Sequence, residues 1–459
     1  MKYVTKQRWE RVLIGSAGIL VGYSFALPLI GSDFSAENAL RLSGVAMASG
    51  FALPAILDCR KGVRSAITGE NMLLLGLIYW VLLDILQGAY RVLVTQEAVE
   101  AEFGVLALFG VGICLGSACV SATQAAVPSG NDEKRLSPRA YIVAILVCFV
   151  LGIFDFLYKS DFDLVLVVQA LGESRWNTPW QRDVLGDWGA FSYHLQYFGY
   201  LLPALVATLA LQVGWHNRWV ILGIALSVVI LAFHFQGGGR RIVGLIIGAG
   251  LCVWFLGIPK VNWVRLLMLI ALAVAVLVLM QFMLTIRGEG LTDATYQASF
   301  DYLHVDDNFL RLAQTLELVP DSHPYVDWQY LYYVLVRPIP RVFWEAKPVD
   351  GGFDLAAALE VPNMGFVLTA AGEWYVMHGL PAVFVGGMAY GLLAGFVNRT
   401  LASARTSVDA LVPSLWLMVL FLGLRTIVEL LLSFYLILAW MVLRTILRQF
   451  KVFRLQPVF

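Results

Sequence analysis

Twelve stretches of this chain read as helices that cross a lipid bilayer: 12–30, 39–57, 71–89, 103–121, 140–157, 194–214, 218–236, 242–258, 264–285, 366–397, 410–430 and 431–449. Crossing takes about twenty apolar residues in a helix, because a backbone cut off from water must satisfy its own N–H and C=O groups. The pattern predicts an all-α, polytopic integral membrane protein forming a single membrane domain over 1–459. Composition agrees. Of 459 residues, 59% are hydrophobic and 14% charged, against about 25% charged in soluble domains. The first apolar run follows Lys2, Lys6, Arg8 and Arg11, as in a signal peptide. It is about eighteen residues long with many spans behind it, so an uncleaved helix is expected. The five cysteines lie in or beside apolar spans without ligand spacing, so neither a disulfide framework nor a metal site is expected.

Basic residues set the orientation. With a cytoplasmic N-terminus, the inner segments hold 19 of the 32 Lys and Arg, and the short outer loops hold Arg41, Arg91, Arg240 and Arg241. Positive charge stays on the cytoplasmic side. Both ends are therefore expected in the cytoplasm, with two longer connections, 158–193 and 287–365, facing outward. The same rule explains the basic loop ends without nucleic acid as a partner. Ionisable residues within the spans (Asp84, Asp155, His234, Arg425 and Glu429) all fall in the outer halves. Burying such groups costs several kcal/mol, so their shared level points to a cavity at the outer mouth. Arg425 and Glu429, four apart, can also neutralise each other on one helix face. The inner halves look inert, unlike the polar path of a transporter.

The long connection 287–365 mixes cations with aromatic rings. Asp306 or Asp307 is placed to cap a helix carrying Phe309, Leu310, Ala313 and Leu316 on one face, which Pro320 would stop. A second amphipathic stretch runs from Trp328 to Val336. Its rings suit headgroup anchoring as well as sugar stacking, and the same two readings hold for Trp176, Trp180 and Trp188. The tenth span, 366–397, would reach roughly 48 Å as helix in a hydrocarbon layer about 30 Å thick. Its first turns, with Glu373, Tyr375 and His378, should project outward, and Pro381 should kink it. A carboxylate or imidazole there is placed for general-base work. Gly237-Gly238-Gly239 precede Arg240 and Arg241 at the outer mouth. Glycine lets a backbone approach a ligand, and guanidinium grips phosphate oxygens as a fork.

Two stretches resemble a known family. Arg337-Pro-Ile-Pro-Arg341-Val-Phe-Trp344-Glu-Ala-Lys347-Pro348 resembles the IPR…W…KP stretch of bacterial oligosaccharide repeat-unit polymerases of the Wzy type. Ala371-Gly372-Glu373-Trp374-Tyr375-Val-Met-His378-Gly379-Leu380 looks like that family's GE.Y..FG segment, with His378 at its aromatic position. The glycine–arginine turn at 238–241 is also similar. The resemblance implies a fold of the glycosyltransferase C-like superfamily and kinship with O-antigen ligases. It implies a metal-independent, cofactor-free glycosyltransferase in the bacterial inner membrane, with a periplasmic active site. Its substrates would be undecaprenyl-pyrophosphate-linked oligosaccharides. Membrane lipids, flippase and chain-length regulator proteins would be its other partners.

On that reading Arg240, Arg241, Arg287, Arg337, Arg341, Lys347 and Arg425 are expected on the pyrophosphate, converging on one pocket. Trp328, Tyr332, Trp344 and Tyr375 are expected on the sugars. Glu373 is the first choice for activating the acceptor hydroxyl, followed by Asp306, Asp307 and His378. Two alternatives stay open: a ligase that moves finished glycan to lipid A core or protein, and a non-catalytic flippase or transporter of lipid-linked saccharide.

Overall fold

In the computed structural model, the described residues are 2–32, 37–86, 94–120, 137–181, 192–237, 239–257, 263–289, 305–339, 341, 343–361, 365–404 and 407–449. They form helices and connections, with no strand among them. In chain order the helices are α1 (Lys2–Ser32), α2 (Glu37–Cys59), α3 (Gly69–Leu86), α4 (Gln96–Cys119), α5 (Pro138–Lys159), α6 (Leu164–Ala170), α7 (Tyr193–Val213) and α8 (Arg218–Gln236). Then follow α9 (Arg240–Gly257), α10 (Trp263–Glu289), α11 (Asn308–Leu318), α12 (Gln329–Val336), α13 (Leu355–Ala358), α14 (Thr369–Ser403), α15 (Leu411–Gly423) and α16 (Ile427–Gln449). Eleven of the described helices are long and apolar enough to span a membrane. The chain is a multi-pass membrane protein.

The eleventh expected span, 410–430, is shorter than the sequence implied. α15 has 13 residues, about 20 Å of helix. The turn after it falls at Leu424–Thr426, where the sequence placed it at 430/431. Only Arg425 and Thr426 interrupt the apolar run at that turn, and hydropathy averaged over a span-length window passes over them. Three bonds fix it instead. Ala370 N–H donates to Leu424 O at 3.0 Å, Tyr390 Oη donates to Gly423 O at 2.7 Å, and the Glu373 carboxylate accepts from Ile427 N–H.

α4 and α14 form the spine of the bundle. A Cβ on Gly116 would lie 2.2 Å from Met388 O, and one on Gly391 would lie 2.3 Å from Ile113 O. The two backbones touch because these positions carry no side chain, which is how helices approach closely in lipid. α14 is broken at His378 (φ −153°, ψ 29°) and Gly379 (φ 65°, ψ −150°), two residues before the expected Pro381. A proline ring crowds the carbonyl four residues back and removes one helix bond, so the distortion falls on the preceding turn. At positive φ, glycine alone takes that bend without steric cost. By contrast, α10 is peripheral: 11% of its apolar window is buried.

The connection 287–365 is organised as expected where it is described. α11 starts after Asp307 and stops before Pro320, and α12 starts after Trp328. Asp307 holds the N-cap position, but its carboxylate pairs with Arg311 and makes no cap bond. Two groups on α3 anchor the start of α11 instead. α3 contains a π stretch, Ile78–Leu82, which shifts the helix bonds and frees a carbonyl. Asn308 Nδ2 donates to that carbonyl, Trp80 O, at 2.7 Å, and the Asp84 carboxyl faces the Leu310 N–H.

Candidate functional site

The anchored start of α11 delivers Asp306 to the centre of a charge cluster. Arg240 Nη2 lies 3.0 Å from Asp306 Oδ1, and Arg425 Nε lies 2.8 Å from Asp306 Oδ2. Arg425 Nη1 also lies 3.3 Å from Glu429 Oε1, and Arg241 pairs with the same carboxylate. Among the described residues, three guanidiniums thus face two carboxylates. Arg240 and Arg241 occupy the first turn of α9, where a helix disfavours cations by about 0.3–1 kcal/mol. The carboxylates offset that cost. Burial opposes ionisation of Asp306, but Arg425, then Arg240 and Arg241, outweigh it and hold the carboxyl below its ordinary range.

This cluster forms the polar end of a cavity of about 700 Å³, within the range of small-molecule sites. Arg240, Arg241, Arg425, Asp306, His234 and Gln196 line that end. From there the cavity continues between helices as an apolar trough. Gly244, Gly248 and Leu251 of α9 face it, with Val276 and Met280 of α10 and Met418 of α15. Phe156, Trp180, Tyr79 and Phe421 make up an aromatic wall.

The five ionisable residues noted in the spans divide by role. His234 and Arg425 line the cavity, and Glu429 holds two of its arginines. Asp84 and Asp155 brace its walls instead of lining it. Asp155, fully buried, accepts from Ser192 and from Gln196 Nε2 at 2.7 Å, with Lys159 Nζ 3.4 Å away. Gln196 is thereby oriented at the cavity's edge.

The expected convergence of all the cations is met in part. Arg240, Arg241 and Arg425 share the cavity, while Arg337, Arg341 and Lys347 form a second basic group that does not line it. Lys347 Nζ donates to Arg337 O at 3.0 Å and Ile339 O at 2.7 Å. Burial, then the charges of Arg341 and Arg337, depress the Lys347 ammonium below its usual range. The physical reason for the separation is local: these residues sit in a turn-rich stretch tied to its own carbonyls. The side chain of Arg287, together with Gly238 and Trp188, lies outside the described residues.

Among the acid–base candidates, Asp306 alone lines the cavity. Glu373 is 3% exposed. One oxygen accepts from Tyr330 Oη at 2.6 Å and the other from Ile427 N–H. Burial first and the Glu373 carboxyl second push the Tyr330 phenol well above its ordinary range, so it stays a donor. Glu373 thus fastens α12 and the start of α16 to α14. His378 Nε2 lies 3.5 Å from Asp327 Oδ1, its ring 5.1 Å from that of Trp328. Asp307 is exposed beside Arg311.

Trp328 and Tyr332 are half exposed, and the Tyr332 and Trp344 rings stand 6.4 Å apart. They form an open aromatic shelf. Tyr375 is packed beneath, its hydroxyl on Val319 O at 3.2 Å. Sequence reasoning set His234 at the level of a cavity but gave it no role, and it overlooked Gln196 and Arg175, which also line the cavity. A signal for His234 existed: it lies just before a glycine turn that folds it back beside Arg240 and Arg241.

Comparison with protein-family models, with curated proteins and with solved structures finds no match to this chain.

Proposed function

We propose that this protein is a glycosyltransferase that joins oligosaccharide repeat units carried on undecaprenyl pyrophosphate, at the periplasmic face of the bacterial inner membrane. One observation carries the reading: one cavity joins an end lined by Arg240, Arg241 and Arg425 to an apolar trough between membrane helices. That shape and charge suit an amphiphile with an anionic head and a hydrocarbon tail. The choice of a prenyl carrier and of a saccharide cargo comes from the resemblance of 337–348 and 371–380 to repeat-unit polymerases.

In this mechanism a hydroxyl of the incoming repeat unit attacks the anomeric carbon of the lipid-linked chain. The carbon–oxygen bond to pyrophosphate breaks, and its electron pair leaves on the phosphate oxygen. Arg240, Arg241 and Arg425 face that developing charge. Donors held in place before reaction are worth about 10²–10³-fold in rate each. Asp306 and Glu429 keep the guanidiniums oriented, so little reorganisation is needed. Trp328, Tyr332 and Trp344 supply flat faces for the sugars outside the cavity.

The test is reconstitution of purified protein in vesicles with short lipid-pyrophosphate-linked repeat units and no nucleotide sugar. Longer lipid-linked chains are expected. Transfer only to a second carrier would instead assign a ligase. Movement of the lipid across the bilayer without any new glycosidic bond would overturn both enzymatic readings.

A further inference from the structure

We infer that His234 takes the proton of the attacking hydroxyl in this cavity, an assignment that rests on the glycosyl-transfer reading above. His234 lies in the last turn of α8, is 6% exposed, and lines the cavity. Its Nε2 is buried and has no hydrogen-bond partner among the described residues. Buried ring nitrogens are normally paired, and none of the described residues supplies the partner here. The ring is clamped edge-on between Phe156, at 5.4 Å, and Tyr200, at 4.9 Å. Its orientation is set by packing, as a preorganised group requires.

The other acid–base groups described at this end are committed. Both Asp306 oxygens are held by Arg240 and Arg425. Glu429 is held by Arg241 and Arg425, and Glu373 by Tyr330 and Ile427. Charged or titratable neighbours on the elements around His234 are Asp155 and Lys159 of α5, and Tyr193, Tyr197 and Tyr200 of α7. Glu173 and Arg175 on the connection before α7, and Arg240 and Arg241 of α9, are the others among the described residues. All three of these arginines line the cavity, and Arg240 and Arg241 belong to the cluster where the leaving pyrophosphate would sit. Neutral imidazole is a proton acceptor at neutral pH. As the acceptor oxygen bonds to the anomeric carbon, its proton passes to Nε2, while the pyrophosphate leaves with the bond electrons and needs no proton. The imidazolium then returns the proton to water.

The experiment compares wild type with His234→Gln and His234→Ala, using full-length protein in vesicles with short lipid-pyrophosphate-linked repeat units. Expected is a fall in kcat of about 10²–10⁴-fold with KM for the donor unchanged. Added imidazole should restore part of the rate in His234→Ala alone. Wild-type activity should fall in acid as the imidazole protonates. Full kcat in His234→Gln beside an active wild type overturns this inference and leaves the polymerase reading standing. So does a loss in which KM rises, thermal stability drops and imidazole has no effect, since that is a packing role. A wild type that makes no glycosidic bond removes both.

Discussion

Arg425 Nε donates to Asp306 Oδ2 at 2.8 Å, across 119 residues of chain. Arg425 sits on the turn between α15 and α16, and its Nη1 reaches Glu429 at the same time. One planar guanidinium therefore orders two carboxylates, and through them Arg240 and Arg241.

That arrangement separates Arg425 from Arg341, although both stand in basic stretches. Arg425→Ala should lower chain elongation about 10²–10³-fold, and Arg425→Lys should fare little better, because an ammonium keeps the charge but loses the fork. Arg341→Ala, outside the cavity, should change elongation far less. Initial rates on lipid-linked repeat units check this. Equal losses in Arg341→Ala and Arg425→Ala would sink the assignment of the cavity as the pyrophosphate seat.

Glu373 offers a sharper contrast between sequence and structure. As a fastener, it tolerates Glu373→Gln, whose amide oxygen still accepts one of the two bonds. Glu373→Ala strands the Tyr330 hydroxyl and the Ile427 N–H, at about 1–3 kcal/mol for each buried group left unpaired. Thermal unfolding in detergent should show a lower Tm for Ala than for Gln, with kcat of the folded Gln variant near wild type. A general base at this position would behave oppositely, with Gln well folded and slower by about 10²–10⁴-fold.

The spans were legible because long apolar runs leave few alternatives in lipid. So were the glycine turn before Arg240 and the helix beginning after Asp307, each written within a few residues. The shared level of His234, Arg425 and Glu429 could also be read from their places in the spans, and the contacts among Arg240, Asp306 and Arg425 put the loop, the turn and α9 at one end of the bundle. What the sequence could not give was pairing over 66, 119 and 188 positions. A carboxylate on an amphipathic stretch reads alike whether it faces solvent or fastens a neighbouring helix, as Glu373 does. Arg341 and Arg425 differ only in which turn carries them, and that depends on tertiary packing.

Asp306 ties stability to pH. Its carboxyl is held below the ordinary value, 3.8, so its ion pairs contribute fully above that value and are lost as pH falls through the lower folded-state value. Comparing wild type with Asp306→Asn isolates this contribution. The Tm difference should be constant from neutral pH down to about 4, then shrink as the medium becomes more acid. A difference independent of pH throughout the acid range would mean that the carboxylate charge is not what holds Arg240 and Arg425.

The trough makes a prediction about lipid length. Gly244 and Gly248 stand one turn apart on α9 and face the apolar end of the cavity. A Cβ at Gly248 would lie 2.5 Å from Met418 Cε, and one at Gly244 would lie 2.9 Å from Met280 Cε. Those neighbours are the flexible tips of methionines, which move readily, so Gly248→Ala should be mild. Gly248→Leu instead fills volume that hydrocarbon would use. Displacing two or three CH₂ groups at about 0.8 kcal/mol each corresponds to roughly a 15- to 60-fold rise in KM. The rise should appear with long-chain prenyl pyrophosphate donors and nearly vanish with donors whose chain is too short to reach Gly248. Kinetics across a series of donor chain lengths decides it: an equal penalty at every length means that the tail lies elsewhere.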